Sequence, residues 1–277
     1  MSTVLERLAI NTALVRPVLV NFLRDEIRKV GYRHAVLGLS GGIDSAVTCA
    51  LSVEALGAEN VLAVLMPYRN SSPASEADAH AVADRLGVQV RKIEITPMVD
   101  PYLDAYPDIS NVRKGNLMAR ARMSVLYDQS EAFKGLVIGT SNKTELLLGY
   151  GTLHGDMASA LNPVGDLYKS QLRELARALE LPRNVIDKAP TADLWVGQSD
   201  EAELGVTYET ADQILYLLVD ERRSEEEVSA AGFDAGVVRS MNARMRANQF
   251  KRSLPIIAKI SGRTIGADFL YLRDWGR

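Results

Sequence analysis

Between residues 4 and 30, apolar positions recur at helical spacing (Leu8, Leu14, Val15, Val18, Leu19, Phe22, Leu23, Ile27), which predicts an amphipathic helix that Pro17 bends or divides. Beyond it, short apolar runs alternate with longer helical patterns. Strands are predicted at 35–39, at Val61–Leu65, at 88–95 and at 136–139. Helices are predicted at 44–56, 75–86 and 115–133, with a mixed stretch at 96–110 and a polar helix start at Ser141. Such alternation predicts crossover connections and a parallel sheet covered on both faces. The fold class is therefore α/β, a doubly wound, mainly parallel sheet with helices on both faces, plus a helical C-terminal part. Past Ser170 helices are expected at 169–180, 208–223, 224–231 and 235–250. A polar stretch at 187–205 is long enough for a lid or binding loop. The tail, 251–277, mixes basic and aromatic residues without periodicity and reads as a strap on the surface.

Ligands of parallel sheets bind beyond the carboxyl ends of the strands. Two polar segments fall there, residues 40–45 and 140–145, so both are expected at one site. The first belongs to Gly38-Leu39-Ser40-Gly41-Gly42-Ile43-Asp44-Ser45, a turn of glycines and hydroxyls between a strand and a helix. Its backbone N–H groups can close around a phosphate at the helix start, and glycine permits the sharp turn and close approach. An acid at the lip, Asp44, makes sense beside bound phosphates chiefly with Mg2+ between them. The loop is neither a Walker A motif nor the spaced-glycine dinucleotide fingerprint.

Composition narrows the possibilities. At 277 residues, 47% apolar, 24% charged and with net charge −3, the chain has the make-up of a globular protein and lacks the basic surplus of a nucleic-acid binder. No apolar run reaches the ~20 residues of a membrane span. Met1 to Glu6 carries no signal-peptide pattern, so a cytoplasmic protein is expected. A single cysteine, Cys49, excludes an intrachain disulfide and a cysteine metal cluster, and its place in the helix after the loop suits packing. His34, His80 and His154 show no ligand spacing.

The loop resembles the SGGxDS turn of the ATP pyrophosphatases, which cleave ATP to AMP and pyrophosphate. Further segments are similar, in order, to NAD synthetases: Gly115-Asn116-Leu117-Met118-Ala119-Arg120-Ala121-Arg122-Met123, Gly139-Thr140-Ser141-Asn142-Lys143-Thr144-Glu145, Asn162-Pro163-Val164-Gly165-Asp166-Leu167-Tyr168-Lys169, Pro190-Thr191-Ala192-Asp193-Leu194, Gln198-Ser199-Asp200-Glu201 and Lys251-Arg252. The resemblance runs from about Val18 to Asp274 and implies an adenine nucleotide alpha hydrolase-like fold in one domain. That domain would comprise an N-terminal helix (1–30), an α/β nucleotide-binding core (31–170) and a helical extension with tail (171–277).

Position by position, the resemblance implies that Gly38, Leu39, Ser40, Gly41, Gly42, Ile43, Asp44 and Ser45 hold the ATP phosphates, and that Asp44 and Glu145 bind Mg2+. Thr140, Lys169 and Thr191 would contact ATP; Arg120, Phe250 and Lys251 would contact deamido-NAD+. The implied reaction adenylates the nicotinic acid carboxylate and then replaces AMP with ammonia. Lys169 is the candidate for stabilising charge at the α-phosphate, and Asp156 for taking a proton from the incoming nitrogen. Each residue also has a plainer reading. Arg120 and Arg122 could be solvated or paired helix residues, Glu145 a first-turn acid, Thr191 a cap, and Lys251-Arg252 a solvated pair.

The sequence departs from the ammonia-dependent pattern at three places. Leu153 stands where a substrate-binding lysine is usual, Ala160 where an aspartate is, and Phe250 where a histidine is. The run Gly151-Thr152-Leu153-His154-Gly155-Asp156 resembles the synthetase part of glutamine-dependent enzymes, yet there is no room for their amidase domain. Free ammonia is the expected donor, with a separate glutaminase as the alternative. A homodimer is expected, with the N-terminal helix offering a surface. The remaining alternatives are another amidating or thiolating member of the family and a nucleotide-binding regulatory module without catalysis.

Overall fold

The computed structural model describes residues 3–191, 193, 195, 200–253 and 255–265. At its centre lie four parallel strands, β1 (His34–Gly38), β2 (Val61–Leu65), β3 (Gln89–Lys92) and β4 (Gly135–Val137), in the order β3-β2-β1-β4. Val36 of β1 is registered with Leu62 on one side and with Val137 on the other. Chain order reverses at β1, which makes the gap between β1 and β4 the switch point where ligands of such sheets bind. An isolated bridge between Ile138 and Leu161 continues the β4 edge.

Strand alternation divides the core. Ala35 and Leu37 pack into one cluster with α2 (Thr12–Lys29), α3 (Ile43–Leu56), α4 (Pro73–Leu86) and α8 (Lys169–Ala178). Val36, Leu62 and Val64 point the other way, against α5 (Thr96–Ala105) and α6 (Asn111–Phe133). Both faces of the sheet are thus covered, as the near-continuous apolar runs require. Cys49 is buried in the first cluster, and burial pushes its thiol pKa up to about 12, so it is a packing residue.

A third cluster lies apart from the sheet. It joins α1 (Val4–Leu8), α7 (Lys143–Leu148), α11 (Tyr208–Leu215), α12 (Glu225–Ala230) and α13 (Ala235–Ala247) around Leu8, Leu148, Ile214, Leu215, Val228 and Val238. Two short helices, α9 (Arg183–Ile186) and α10 (Asp200–Leu204), complete the set.

Pro17 lies inside α2 without dividing it. The break comes earlier, at Ala9–Asn11, where the Asn11 side chain caps α2 by accepting from the Ala13 N–H at 3.1 Å. Leu8 and Leu23 belong to different clusters, which is why the chain turns between them. The mixed stretch at 96–110 contains α5, and β3, predicted over 88–95, is a short, exposed edge strand. The predicted helix at 208–223 changes after Leu215 into a π turn, Tyr216–Asp220, closed by the Glu221 N–H on the Tyr216 carbonyl. Ala192, Leu194, Gln198, Ser199 and the tail from 266 onward lie outside the described residues. Among the described residues no helix is long and apolar enough to cross a membrane.

Candidate active site

The turn after β1 is shaped by its small residues. Gly41 has φ of +77°, in the left-handed region, and a Cβ there would lie 2.1 Å from the Ser75 carbonyl oxygen at the start of α4. Only glycine meets both conditions. Ser45 Oγ accepts from the Ser40 N–H at 3.2 Å and donates to the Gly42 carbonyl at 3.0 Å, while Ser40 Oγ accepts from the Gly42 N–H at 3.3 Å. These bonds fix the loop from within. Gly42 stands at the N-cap of α3 without a side-chain cap, and the first turn of that helix lines the cavity beneath the loop. A helix start of this kind offers N–H groups and a positive dipole end to an anion.

Asp44 projects from that turn into a group assembled by three helices. Its Oδ1 accepts from Asn142 Nδ2 at 2.8 Å, and its Oδ2 from Lys169 Nζ at 2.5 Å. Lys169 Nζ also reaches Glu145 Oε1 at 3.4 Å and lies 5.0 Å from the centre of the Tyr208 ring. Glu145 is set by a capping box on α7: its N–H donates to Asn142 Oδ1, and its carboxylate accepts from the Asn142 N–H. One buried ammonium therefore bridges two largely buried carboxylates. Burial, then the Asp44 charge, pushes Glu145 up to about 8. Burial opposes charge on Lys169, yet Asp44 and Glu145 outweigh it and raise its pKa above the usual lysine value.

Around this group opens a cavity of about 580 Å³, of the size that ordinary small-molecule ligands occupy. Its walls include the whole loop apart from Gly41, together with Thr140, Asp156, Thr191 and Lys251. Gly41 supports the loop from behind, against α4. Asp156 opens to the cavity and accepts from the Thr152 N–H at 2.8 Å; the protein packed around it raises its pKa. Lys251 Nζ donates to the carbonyls of Gly149 and Gly151, at 2.8 and 2.9 Å, and burial lowers its pKa. Its neighbour Arg252 donates to the carbonyls of Leu146 and Leu147 at the end of α7, so the two cations brace backbone instead of forming a solvated pair.

Arg120 and Phe250 are not in the cavity wall. Arg120 is exposed and donates to the Leu153 carbonyl at 3.2 Å, and the Phe250 side chain is 61% exposed. Arg122, two residues on from Arg120, does line the cavity, held by the Met66 carbonyl at 3.0 Å. Helical spacing explains the difference, since residues two apart face different directions. Sequence reasoning gave no role to Asp200, Asn142 or Lys188. Asp200 is buried in the wall with the Tyr150 hydroxyl at 2.9 Å, and its charge adds to the field on Glu145 and Lys169. Lys188 pins the wall to α4 through Asp78 at 2.7 Å. Asp200 sits within one of the motifs quoted above, which was the available signal. Lys188 had none, because its partner is 110 residues away.

A glycine-rich turn ending on a helix start at the switch point of a parallel sheet, with paired carboxylates and a buried lysine at its mouth, is an arrangement suited to a nucleotide-binding enzyme of the α/β class. Residues 15–255 match the family described as NAD synthase, and the chain belongs to that family. It is 60% identical to the NH(3)-dependent NAD(+) synthetase of Trichlorobacter lovleyi over 99% of this chain and 100% of that one. Among solved structures, the NH3-dependent NAD synthetase of Campylobacter jejuni, in complex with the nitrate ion, matches with a TM-score of 0.78 and 36% identity, covering 90% of this chain and 100% of its own. The NMN synthetase of Francisella tularensis matches with a TM-score of 0.80 and 34% identity over 90% and 99% of the two chains.

Proposed function

We propose that this chain is an ammonia-dependent NAD+ synthase, a ligase that uses ATP to amidate deamido-NAD+. The observation that carries the reading is the Asp44–Lys169–Glu145 group at the mouth of the phosphate loop in a chain of this family. In the first step the nicotinic acid carboxylate oxygen bonds to the α-phosphorus of ATP and the bond to pyrophosphate breaks. In the second the ammonia nitrogen bonds to the carbonyl carbon, the bond to the AMP oxygen breaks, and a proton is released.

The loop 38–45, with Gly41 shaping it from behind, and Thr140 hold the phosphates, with Thr191 at the nucleotide's edge. Lys169, kept charged by its two carboxylates, neutralises the α-phosphate as it passes through the transition state. Asp156, with its raised pKa, takes the proton from the incoming nitrogen. Two carboxylates sharing one ammonium also fit Mg2+, whose preference is for oxygen ligands. Asp44 and Glu145 would hold it, and it would supply charge neutralisation at the phosphates. Among the described residues no cluster of three or more His, Cys, Asp or Glu could hold a metal, so phosphate and water oxygens would complete its shell.

Lys251 faces the dinucleotide inside the cavity, and Arg120 and Phe250 meet its outer half where it leaves the wall. A homodimer belongs to this reading, because α2 carries an exposed stripe of Leu14, Val18 and Phe22 at four-residue spacing. A cytoplasmic setting agrees with the single free cysteine. Free ammonia is favoured over a separate glutaminase because the relatives above are NH3-dependent enzymes.

The test is formation of AMP and NAD+ from ATP, Mg2+ and deamido-NAD+, with ammonium chloride against glutamine. Parallel reactions use nicotinic acid mononucleotide, since one structural relative is an NMN synthetase. Equal AMP and NAD+ with ammonium alone is the expected result. Turnover of the mononucleotide in preference, or of neither acid, overturns the assignment.

A further inference from the structure

Glu145 and Lys169 sit near the starts of two different helices, α7 and α8, which meet where the Lys143 N–H donates to the Leu167 carbonyl at 2.8 Å. A third element adds a second connection. Asp212, fully buried on α11, accepts from the Thr144 hydroxyl of α7 at 2.5 Å and from the Ser170 N–H of α8 at 2.7 Å. Thr144 Oγ1 in turn accepts from the Lys169 N–H at 3.2 Å. Two turns further on, Asp220 repeats the arrangement: it accepts from Lys143 Nζ of α7 at 2.8 Å and from the hydroxyl of Tyr168, the N-cap of α8, at 2.6 Å. Each carboxylate thus binds one group from each helix. The residues they grip, 143–144 and 168 and 170, lie within two positions of Glu145 and Lys169.

The π turn accounts for the repetition. Eight residues of plain α-helix would leave Asp220 about 80° around the axis from Asp212. The wider turn at Tyr216–Asp220 takes up most of that offset and brings both carboxylates to one face. Neither Asp212 nor Asp220 lines the cavity, so neither can contact ATP there directly.

We propose that Asp212 and Asp220 are positioning residues that clamp α7 to α8 and thereby set Lys169 between Asp44 and Glu145 in the geometry that binds ATP. This rests on the ATP-dependent reading above. Releasing the clamp lets the two helix starts separate, so the cost falls on ATP affinity and not on the dinucleotide, which Lys251 holds from another element.

The experiment compares wild type with Asp212→Asn, Thr144→Val and Thr144→Ser, measuring the ATP dissociation constant by calorimetry, KM for ATP and for deamido-NAD+, and thermal unfolding. Asp212→Asn and Thr144→Val should each weaken ATP binding and raise KM for ATP at least fivefold, with KM for deamido-NAD+ within twofold of wild type. Thr144→Ser keeps the hydroxyl and should bind ATP as wild type does. A variant that merely loses folded protein would show fewer active sites with unchanged KM for ATP; that result, or equal ATP binding by Thr144→Val and Thr144→Ser, overturns the clamp. Wild type that binds ATP but forms no NAD+ refutes the functional reading while the binding comparison still decides the clamp.

Discussion

Replacing Gly41 with alanine separates two penalties that usually come mixed. The residue has φ of +77°, a conformation that costs an alanine about 1–2 kcal/mol. The new methyl would also sit 2.1 Å from the Ser75 carbonyl oxygen and 3.1 Å from Asp78 Cβ. Because the first obstacle is backbone, the loop or the first turn of α4 must move by about 1 Å, an overpacking that costs about 1–3 kcal/mol. The sum, about 2–5 kcal/mol, is a large share of the ~5–15 kcal/mol that holds a domain together, yet leaves it folded. Gly31 provides the control: its φ is +85°, and nothing lies within 4 Å of its absent Cβ. Urea unfolding of Gly31→Ala should show the conformational penalty alone. Gly41→Ala should be less stable by a further ~1–3 kcal/mol and should bind ATP at least tenfold more weakly, because relief of the clash distorts the phosphate loop. Equal unfolding midpoints for the two variants, with ATP binding by Gly41→Ala unchanged, would refute the argument.

Two further outcomes follow from the site. Glu145, pushed up to about 8, holds a proton below that pH, and a divalent cation must displace it. The Mg2+ concentration for half-maximal activity should therefore rise about tenfold between pH 9 and pH 7, and a flat profile over that window would contradict the assignment of Glu145 as a ligand. Arg252→Ala removes the donors at 2.8 and 2.9 Å that cap the end of α7 and should cost about 1–3 kcal/mol, read as a fall of several degrees in the unfolding temperature. Arg252→Lys should restore little of it, since a single ammonium lacks the guanidinium fork; full recovery would contradict the capping role.

What the sequence made legible is what local chemistry decides. Val61–Leu65 was readable to the residue because a strand buried on both faces must be apolar throughout. The turn at 38–45 was readable because glycine and serine there have few other reasons to cluster. Pro17 does not divide the helix, whereas the actual break needed the Asn11 cap and two separate cores to draw the chain apart. Arg120 and Arg122 were indistinguishable on paper, and only the facing of α6 separates them. Lys251 and Arg252 read as a solvated pair by default because the carbonyls they hold lie about a hundred residues earlier. Asp212 carried no local signal for the same reason: its partners are 42 and 68 residues away.

The bracing by Lys251 and Arg252 has a consequence for how the molecule is made. The turn at 38–45 bonds to itself and packs against α4, so these contacts need nothing later in the sequence than α4. The carbonyls of Leu146, Leu147, Gly149 and Gly151 receive side-chain donors from residues 251 and 252, with Arg244 on the Leu148 carbonyl beside them. In a nascent chain the turn therefore has its own bonds available while the Gly149–Gly151 turn waits for residues made about a hundred positions later. Because chains emerge N-terminus first, at about 5–20 residues per second, these two sets of contacts become available many seconds apart.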